Sequence, residues 1–344
     1  MSRAVTIYDV AKAAGVSSCC VSWVLRDHPR SKGMNIKTRQ RILDAASKLG
    51  YVQNLLAAAT RTGQVCTIAV ILNFMKLQSF DSCNRIFAGI MQESTIRRHS
   101  VKIFDENELE LSFRLIAENR IGKVISLSVE NDIRERTAEL AEKYSIDLVF
   151  CYEHGHGKFP SVNTDNAEMT DKAVHYLTEH GHSRIGLLCV PHRAYYVTER
   201  YDGYLRGMTE CGLEPDPRWV CCSGEIEKSV DSILALPEKL RPTAFVAQAD
   251  TIAVLAQRRA WERGLRIPED FSVIGIGDSE CSSCTMIPIT TFREVLFENG
   301  RILMRLLFGE KPDFPPDEFN VYRTHAEMIE RKSVFNIKNS RRLK

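Results

Sequence analysis

Apolar positions at Ile7, Val10, Ala11 and Ala14 recur at the i, i+3, i+4, i+7 spacing of an amphipathic helix, and Gly15 marks its end. Thr6, followed three residues later by Asp9, gives that helix a start close to a capping box. Ser17 then caps a second helix whose inward stripe is Cys20, Val21, Val24 and Leu25. At about 100° per residue, Cys19, Trp23 and Arg26 fall together on the opposite face. A third helix begins at Asn35, turns Ile42, Leu43, Ala46 and Leu49 inward, and stops at Gly50. Two short helices joined by a glycine turn, with a third packed behind, predict a helix-turn-helix. Its second helix can enter a DNA major groove.

From residue 64 the pattern changes. Continuous apolar runs such as "CTIAVILNF", "KVISLS", "RIGLLCV" and "FSVIGIG" alternate with helical stretches such as "RIFAGIMQESTIRR" and "TIAVLAQRRAWERG". Strands that are apolar throughout, alternating with helices, predict parallel sheets covered on both faces. The stretch "PSVNTDNAEM" separates one such series from a second, so the body is expected to hold two doubly wound subdomains. The later "ITTF", "VLFENGRILMRLLFG" and "EFNVYR" are expected to return to the first. Ligands of such folds bind beyond the carboxyl ends of the strands, here between the subdomains.

Charge sharpens this division. Residues 1–62 hold ten Lys/Arg against three Asp/Glu, and the remaining residues hold 36 against 41. A head of +7 on a body of −5 points to a polyanionic partner for the head. No apolar run approaches the roughly 18 to 20 residues of a membrane span. The N-terminus lacks the apolar region of a signal peptide, so no membrane and a cytoplasmic location are expected. Eleven cysteines in 344 residues do not form the framework of a small secreted domain. "CSSC" (Cys281, Cys284) is the only CxxC and has no second pair. The histidines of "EHGHGK" and "EHGHSR" read as solvent-facing residues beside turn glycines Gly155 and Gly181, so neither metal nor cofactor is expected. "GIGDSE" is not GxGxxG, no P-loop occurs, and no Ser-His-Asp or paired-carboxylate arrangement is placed for chemistry, so the chain does not read as an enzyme. Residues 331–344, acid-free after Glu330, are expected to form a mobile basic tail.

The head, "TIYDVAKAAGVSSCCVSWVL" followed by "TRQRILDAASKLGY" and "RTGQ", resembles the LacI/GalR transcriptional regulators, and the resemblance runs through the chain. It implies an N-terminal all-α helix-turn-helix head (1–50), a hinge (51–63) and an α/β body of two doubly wound parallel-sheet subdomains, periplasmic-binding-protein-like (64–330). The first subdomain is expected at about 64–161 and 291–330, the second at about 162–290. The family's base-reading positions fall on Ser18, Cys19 and Trp23, and the wider DNA-binding set on Thr6, Ser17, Cys20, Ser22, Arg26, His28, Arg30, Asn54 and Leu56. Many members carry arginine where Trp23 stands; an indole there can contact a thymine methyl but cannot grip guanine. "RSKGMN" is about three residues longer than usual. In the hinge, the usual proline, basic residue and wedge leucine fall on Gln53, Ala58 and Thr60. In the cleft, the resemblance assigns the effector to Phe80, Tyr152, Arg200, Ile226, Asp278 and Glu294, with Asp250 capping a helix. Ala249 and Gly277 replace polar anchors, and Glu294 stands where glutamine is common. The implied function is a sequence-specific DNA-binding regulator, a repressor acting as a homodimer on a pseudo-palindromic operator. Its control would come from a small-molecule effector, sugar-like or another polar metabolite. The alternative is a small-molecule sensor whose head has lost specific DNA binding.

Overall fold

Thr6 caps helix α1 (Ile7–Ala14) through a complete capping box: its backbone N–H donates to Asp9 Oδ2 (2.8 Å), and its hydroxyl accepts from the Asp9 N–H (3.4 Å). Gly15 takes the left-handed conformation (φ +62°) that turns the chain into α2 (Ser18–Leu25). After a short α3 (Pro29–Lys32), α4 (Ile36–Lys48) closes the bundle. These elements belong to a computed structural model that describes residues 5–52, 65–74, 81–189, 194–222 and 225–340. The chain divides into two compact units, Met1–Cys66 and Thr67–Lys344. The head core is Val10, Ala11, Ala14, Val21, Val24, Ile42 and Ala46, with Cys20 and Leu25 partly buried against it. Leu43 and Leu49 do not turn inward; they are 42% and 38% exposed. Leu43 lies about 100° round the helix from Ile42, and Leu49 sits at the C-cap, past the last helical turn.

In the body, β1 (Thr67–Leu72), β2 (Ser100–Asp105), β3 (Lys123–Ser126), β4 (Asp147–Cys151), β5 (Ser161–Thr164) and β11 (Val321–Thr324) form a parallel sheet in the order β11-β5-β4-β3-β1-β2. A second sheet has the order β12-β10-β9-β8-β6-β7. Its members are β6 (Ile185–Cys189), β7 (Val220–Cys222), β8 (Ala244–Ala247), β9 (Ser272–Ile276), β10 (Thr290–Arg293) and β12 (Glu327–Ile329), with β12 antiparallel at the edge. Alternate residues of β1 feed opposite cores. Ile68, Val70 and Leu72 pack with α5 (Asp81–Ile96) and α13 (Leu296–Leu307), whereas Ala69 and Ile71 pack with α6 (Leu109–Glu118) and α7 (Asn131–Lys143). The second sheet is covered likewise by α8 (Asn166–Glu179) and α9 (Tyr195–Glu210) on one face. Helices α10 (Ile226–Leu234) and α11 (Asp250–Glu262) cover the other, and a short α12 (Glu280–Cys284) follows β9. Two parallel-sheet layers of this kind are the architecture that the apolar runs predict. Among the described residues no helix is long and apolar enough to cross a membrane.

The returns to the first sheet differ from expectation. Residues Thr290–Phe292 of "ITTF" pair with β9 in the second sheet, where the Thr291 hydroxyl donates to Asp250 Oδ1 (2.6 Å). Of the late segments, α13 and β11 do join the first sheet, but β12 goes back to the second. The chain therefore crosses three times, between β5 and α8, between β10 and α13, and between β11 and β12. The tail is anchored as far as Ile337. The Ser333 hydroxyl accepts from the Thr290 N–H (2.8 Å), and the Ile337 N–H donates to His180 O (2.9 Å). Of the histidines flanking Gly155 and Gly181, His154, His156 and His180 are half-buried and His182 turns fully inward. His182 is 1% exposed, bonded to Thr243 Oγ1 and Phe335 O, and burial pushes its pKa down to about 4.

Candidate nucleic-acid interface and ligand cleft

Helix α2 carries its face pattern as the periodicity requires. Val21 and Val24 are buried, Cys19 and Arg26 are exposed, and Ser18, Ser22 and Trp23 are half-buried. The cap occupies two of the hydroxyls assigned to DNA: Ser17 Oγ accepts from the Cys20 N–H (3.3 Å), and the Thr6 hydroxyl is engaged with Asp9. Cys20 is partly buried, with its sulfur 3.3 Å from Ser17 Oγ. Asp27 (φ +48°) reverses the chain, and His28 caps α3, its Nδ1 accepting from the Arg30 N–H (3.2 Å). The His28 ring stacks against the Trp23 indole (centroids 6.4 Å, 26°), and the Arg30 guanidinium lies over that indole at 5.5 Å. Asn54 and Leu56 lie outside the described residues, as do Gln53, Ala58 and Thr60.

Between the two sheets, at the carboxyl ends of their strands, lies a cavity of about 320 Å³. Its apolar lining includes Leu72, Leu127, Tyr152, Tyr196, Ile276 and Leu296. Arg200 and Glu294 face each other inside it, 8% exposed each, with Nη2 and Oε2 3.7 Å apart. Arg200 Nε donates to Asn166 Oδ1 (2.8 Å) and Nη1 to the Gln248 carbonyl (2.6 Å), and its guanidinium lies 5.2 Å from the Tyr196 ring centre. Arg200 thus joins α9 to the first and second crossings. Tyr152 lines the cavity from the end of β4 with a left-handed backbone (φ +67°), a conformation that costs about 1–3 kcal/mol in a non-glycine residue. Asp250 is buried and satisfied, its carboxylate accepting from Thr291, the Ser279 N–H and the Ser279 hydroxyl. Burial raises its pKa, and these hydrogen bonds only partly offset that. The space for its carboxylate comes from Gly275, where any Cβ would collide with it. Asp250 is the first residue of its helix, but its side chain makes no cap hydrogen bond; it organises the Ser279 loop and lines the cavity, so the expected cap is not what the structure shows.

Two assigned cleft residues sit elsewhere. Asp278 does not line the cavity; it pairs with Arg293 (2.7 Å) and Arg331 on the second subdomain. Its left-handed backbone (φ +46°) follows Gly277 and aims the side chain away. Ile226 packs against the apolar core of the second subdomain around Cys221 and Val230. Phe80 lies outside the described residues. Conversely, Asn163, Asn166, Tyr196 and Gln248 line the cavity and were not singled out. All but Tyr196 sit at or just past a strand end, so the carboxyl-end rule applied residue by residue would have found them.

A second cluster spans the subdomains beside the cavity. Glu199 on α9 accepts from Arg323 on β11 (2.7 Å) and from Asn166 (3.1 Å), and lies 3.4 Å from His154 Nε2. Burial works to raise its pKa, but these partners hold it below the ordinary value. His154 is stacked between Tyr195 (3.9 Å) and Phe319 (4.3 Å). Its neighbour Glu153 is 1% exposed, and neither carboxylate oxygen has a hydrogen-bond partner among the described residues. Burial pushes its pKa up from 4.5 to about 8; Arg134 opposes this, while Glu130, Glu199 and Asp132 add to it. A folded-state pKa raised in this way means that the native chain keeps a proton that the unfolded chain releases. Stability should therefore fall between about pH 4.5 and 8 by up to about 1.4 kcal/mol per pH unit from this group. Glu153→Gln is expected to remove that slope, gaining stability at pH 8 and changing little at pH 4.5. Denaturant unfolding across this pH range measures it.

Residues 6–54 match the family "Bacterial regulatory proteins, lacI family", and residues 174–334 match a periplasmic binding protein-like domain. Among curated proteins, the HTH-type transcriptional repressor PurR of Aliivibrio fischeri (strain MJ11) is 29% identical over 96% of this chain and 98% of its own length. The HTH-type transcriptional repressor CytR of Escherichia coli (strain K12) is 28% identical over 89% of this chain and 90% of its own. Among solved structures, the lac repressor dimer bound to operator and the anti-inducer ONPF superposes with a TM-score of 0.77. That likeness covers 97% of this chain and 100% of that one at 23% identity, and it bears on the fold.

Proposed function

We propose that this chain, which belongs to the lacI family and is a DNA-binding transcription regulator with a ligand-binding type of body, represses transcription from a pseudo-palindromic operator. It does so as a homodimer in the cytoplasm of a bacterium, and it is not an enzyme, in keeping with its repressor relatives. The observation that carries this reading is the +7 head, with Cys19, Trp23 and Arg26 on the outward face of the second helix of a helix-turn-helix. One such head contacts too few bases for a specific site. Two heads related by a two-fold axis match two half-sites.

The cleft supports a small polar effector. Asn163 Nδ2 and Gln248 Oε1 are buried without hydrogen-bond partners among the described residues. Arg200 Nη2 and the Glu294 carboxylate have only each other, at 3.7 Å, among the described residues. Buried polar groups left unpaired cost about 1–3 kcal/mol each, which a ligand carrying both donors and acceptors recovers. Tyr152 and Tyr196, with ring centres 6.4 Å apart, offer apolar faces to a ring-sized body. A polyhydroxylated or comparable polar metabolite has this chemistry; Tyr152, Arg200 and Glu294 are its proposed contacts.

Binding-site selection on duplex DNA with the full-length protein tests the reading. Specific sites should emerge as inverted repeats. Log affinity should fall linearly with log salt, with a slope near −0.9 per phosphate neutralised. A flat salt response, or recovery of no sequence, would leave the sensor alternative.

A further inference from the structure

The recognition face lacks an arginine where one is common, yet a guanidinium lies over it. Arg30 does not belong to α2. It is carried by α3, the short helix at the start of the lengthened "RSKGMN" segment. The chain is reversed at Asp27 (φ +48°), and the His28 N–H donates to the Trp23 carbonyl (2.9 Å), which folds the connection back against the end of α2. Ser31 is fully buried and roots α3 in the head. The Trp23 indole then meets two groups from this connection: the His28 ring and, at 5.5 Å, the Arg30 guanidinium. Asp27 is turned to Arg39 (3.7 Å). Among the described residues no ion pair or side-chain hydrogen bond engages the Arg30 guanidinium.

We propose that Arg30, held over Trp23, is the base-reading arginine of this head, and that it grips a guanine in each half-site. The assignment rests on the DNA-binding reading above and names its specificity residue. Tryptophan has one N–H and no fork, so it cannot make the bidentate contact to guanine O6 and N7. An aromatic face binds a guanidinium through its π surface and leaves the five N–H groups free around its edge. The pairing also restricts a long side chain before DNA arrives, so less rotamer freedom is lost on binding. Trp23 is then a positioning residue, and the thymine-methyl role that the sequence suggests for it is replaced. The longer segment and the tryptophan fit together: the connection brings an arginine over the ring that occupies the helix position.

The test uses the full-length protein, an operator obtained by selection, and all single-base variants of one half-site. Arg30→Ala is expected to weaken the selected operator 10- to 100-fold and to erase discrimination at one G·C pair, with nonspecific affinity little changed. Arg30→Lys keeps the charge and should still lose most of that discrimination. Trp23→Ala should lose discrimination at the same base pair, and Trp23→Phe, which keeps a ring, should restore much of it. Melting curves of each variant identify any that fail to fold, and the two conservative variants then decide. If Arg30→Ala weakens every sequence equally and lowers the salt slope by about one phosphate's worth, Arg30 is a phosphate contact and the proposal falls. If Arg30→Ala is silent while Trp23→Ala acts at a T·A pair, the indole reads the base directly and the proposal falls. Failure of the wild-type chain to select any sequence would instead overturn the regulator reading and this assignment with it.

Discussion

Arg200→Ala should destabilise the ligand-free body by about 2–4 kcal/mol, in addition to abolishing any response to effector. Among the described residues the guanidinium is the ion-pair partner of the buried Glu294 carboxylate, at 3.7 Å, and it donates to Asn166 Oδ1 and the Gln248 carbonyl. Truncation leaves one charge and two acceptors without the donor that pairs them. Breaking a buried pair costs more than the pair itself is worth, because the surviving partner stays desolvated. The double variant Arg200→Ala/Glu294→Gln removes the orphaned charge and should recover part of the loss, so the two single effects will not add. Thermal and denaturant unfolding of the four proteins make the comparison. An unchanged melting temperature in Arg200→Ala, with effector response lost, would assign Arg200 to the ligand alone.

Gly203→Ala and Gly300→Ala should each cost about 3 kcal/mol or more, among the largest effects expected of single methyl groups. Helices α8 and α9 meet backbone to backbone at Gly203, where a Cβ would be driven into the Ala167 carbonyl and the Thr170 hydroxyl. Helices α5 and α13 meet in the same way at Gly300, where a Cβ would strike the Ile86 carbonyl and crowd the Ile90 N–H at 2.9 Å. Backbone atoms cannot move aside without separating the helices, and both pairs lie against a sheet that fixes their spacing. Gly122→Ala is the control: its Cβ position has nothing within 4 Å, so the change should stay within about 0.5 kcal/mol. Unfolding midpoints of the three variants decide. A Gly300→Ala protein as stable as wild type would mean that the two helices have room to part.

Much of the head was legible because its signals are local. The Thr6–Asp9 box, the Gly15 turn and the stripe of Val10, Ala11 and Ala14 all lie within one or two helical turns of their partners. Leu49 misled because periodicity cannot see where a helix stops being covered: the residue keeps the right phase but sits beyond the last packed turn. In the cleft, Arg200 and Glu294 were found through resemblance and do share the cavity. Ile226 and Asp278 came from the same source and do not, because each has a stronger local partner, an apolar core for one and two arginines for the other.

The sequence by itself determined most secondary elements, though not the short α3, together with the division into a basic helical head and a two-series body and the outward face of α2. These follow from charge counts and from periodicities of 3.6 and from apolar runs, which a reader of short windows can detect. Only the tertiary structure decided where the chain changes sheets, since the short Thr290–Arg293 carries no periodicity that distinguishes the two sheets; it pairs in the second, where Asp250 accepts the Thr291 hydroxyl. Tertiary structure also decided that Arg200 is held by partners from two crossings, that Glu153 has no hydrogen-bond partner among the described residues, and that Arg30 comes to rest on Trp23. Each of these depends on which groups meet in space once water is excluded. The cost of burying a charge or a hydroxyl is set by those neighbours and not by the residues beside it in the chain.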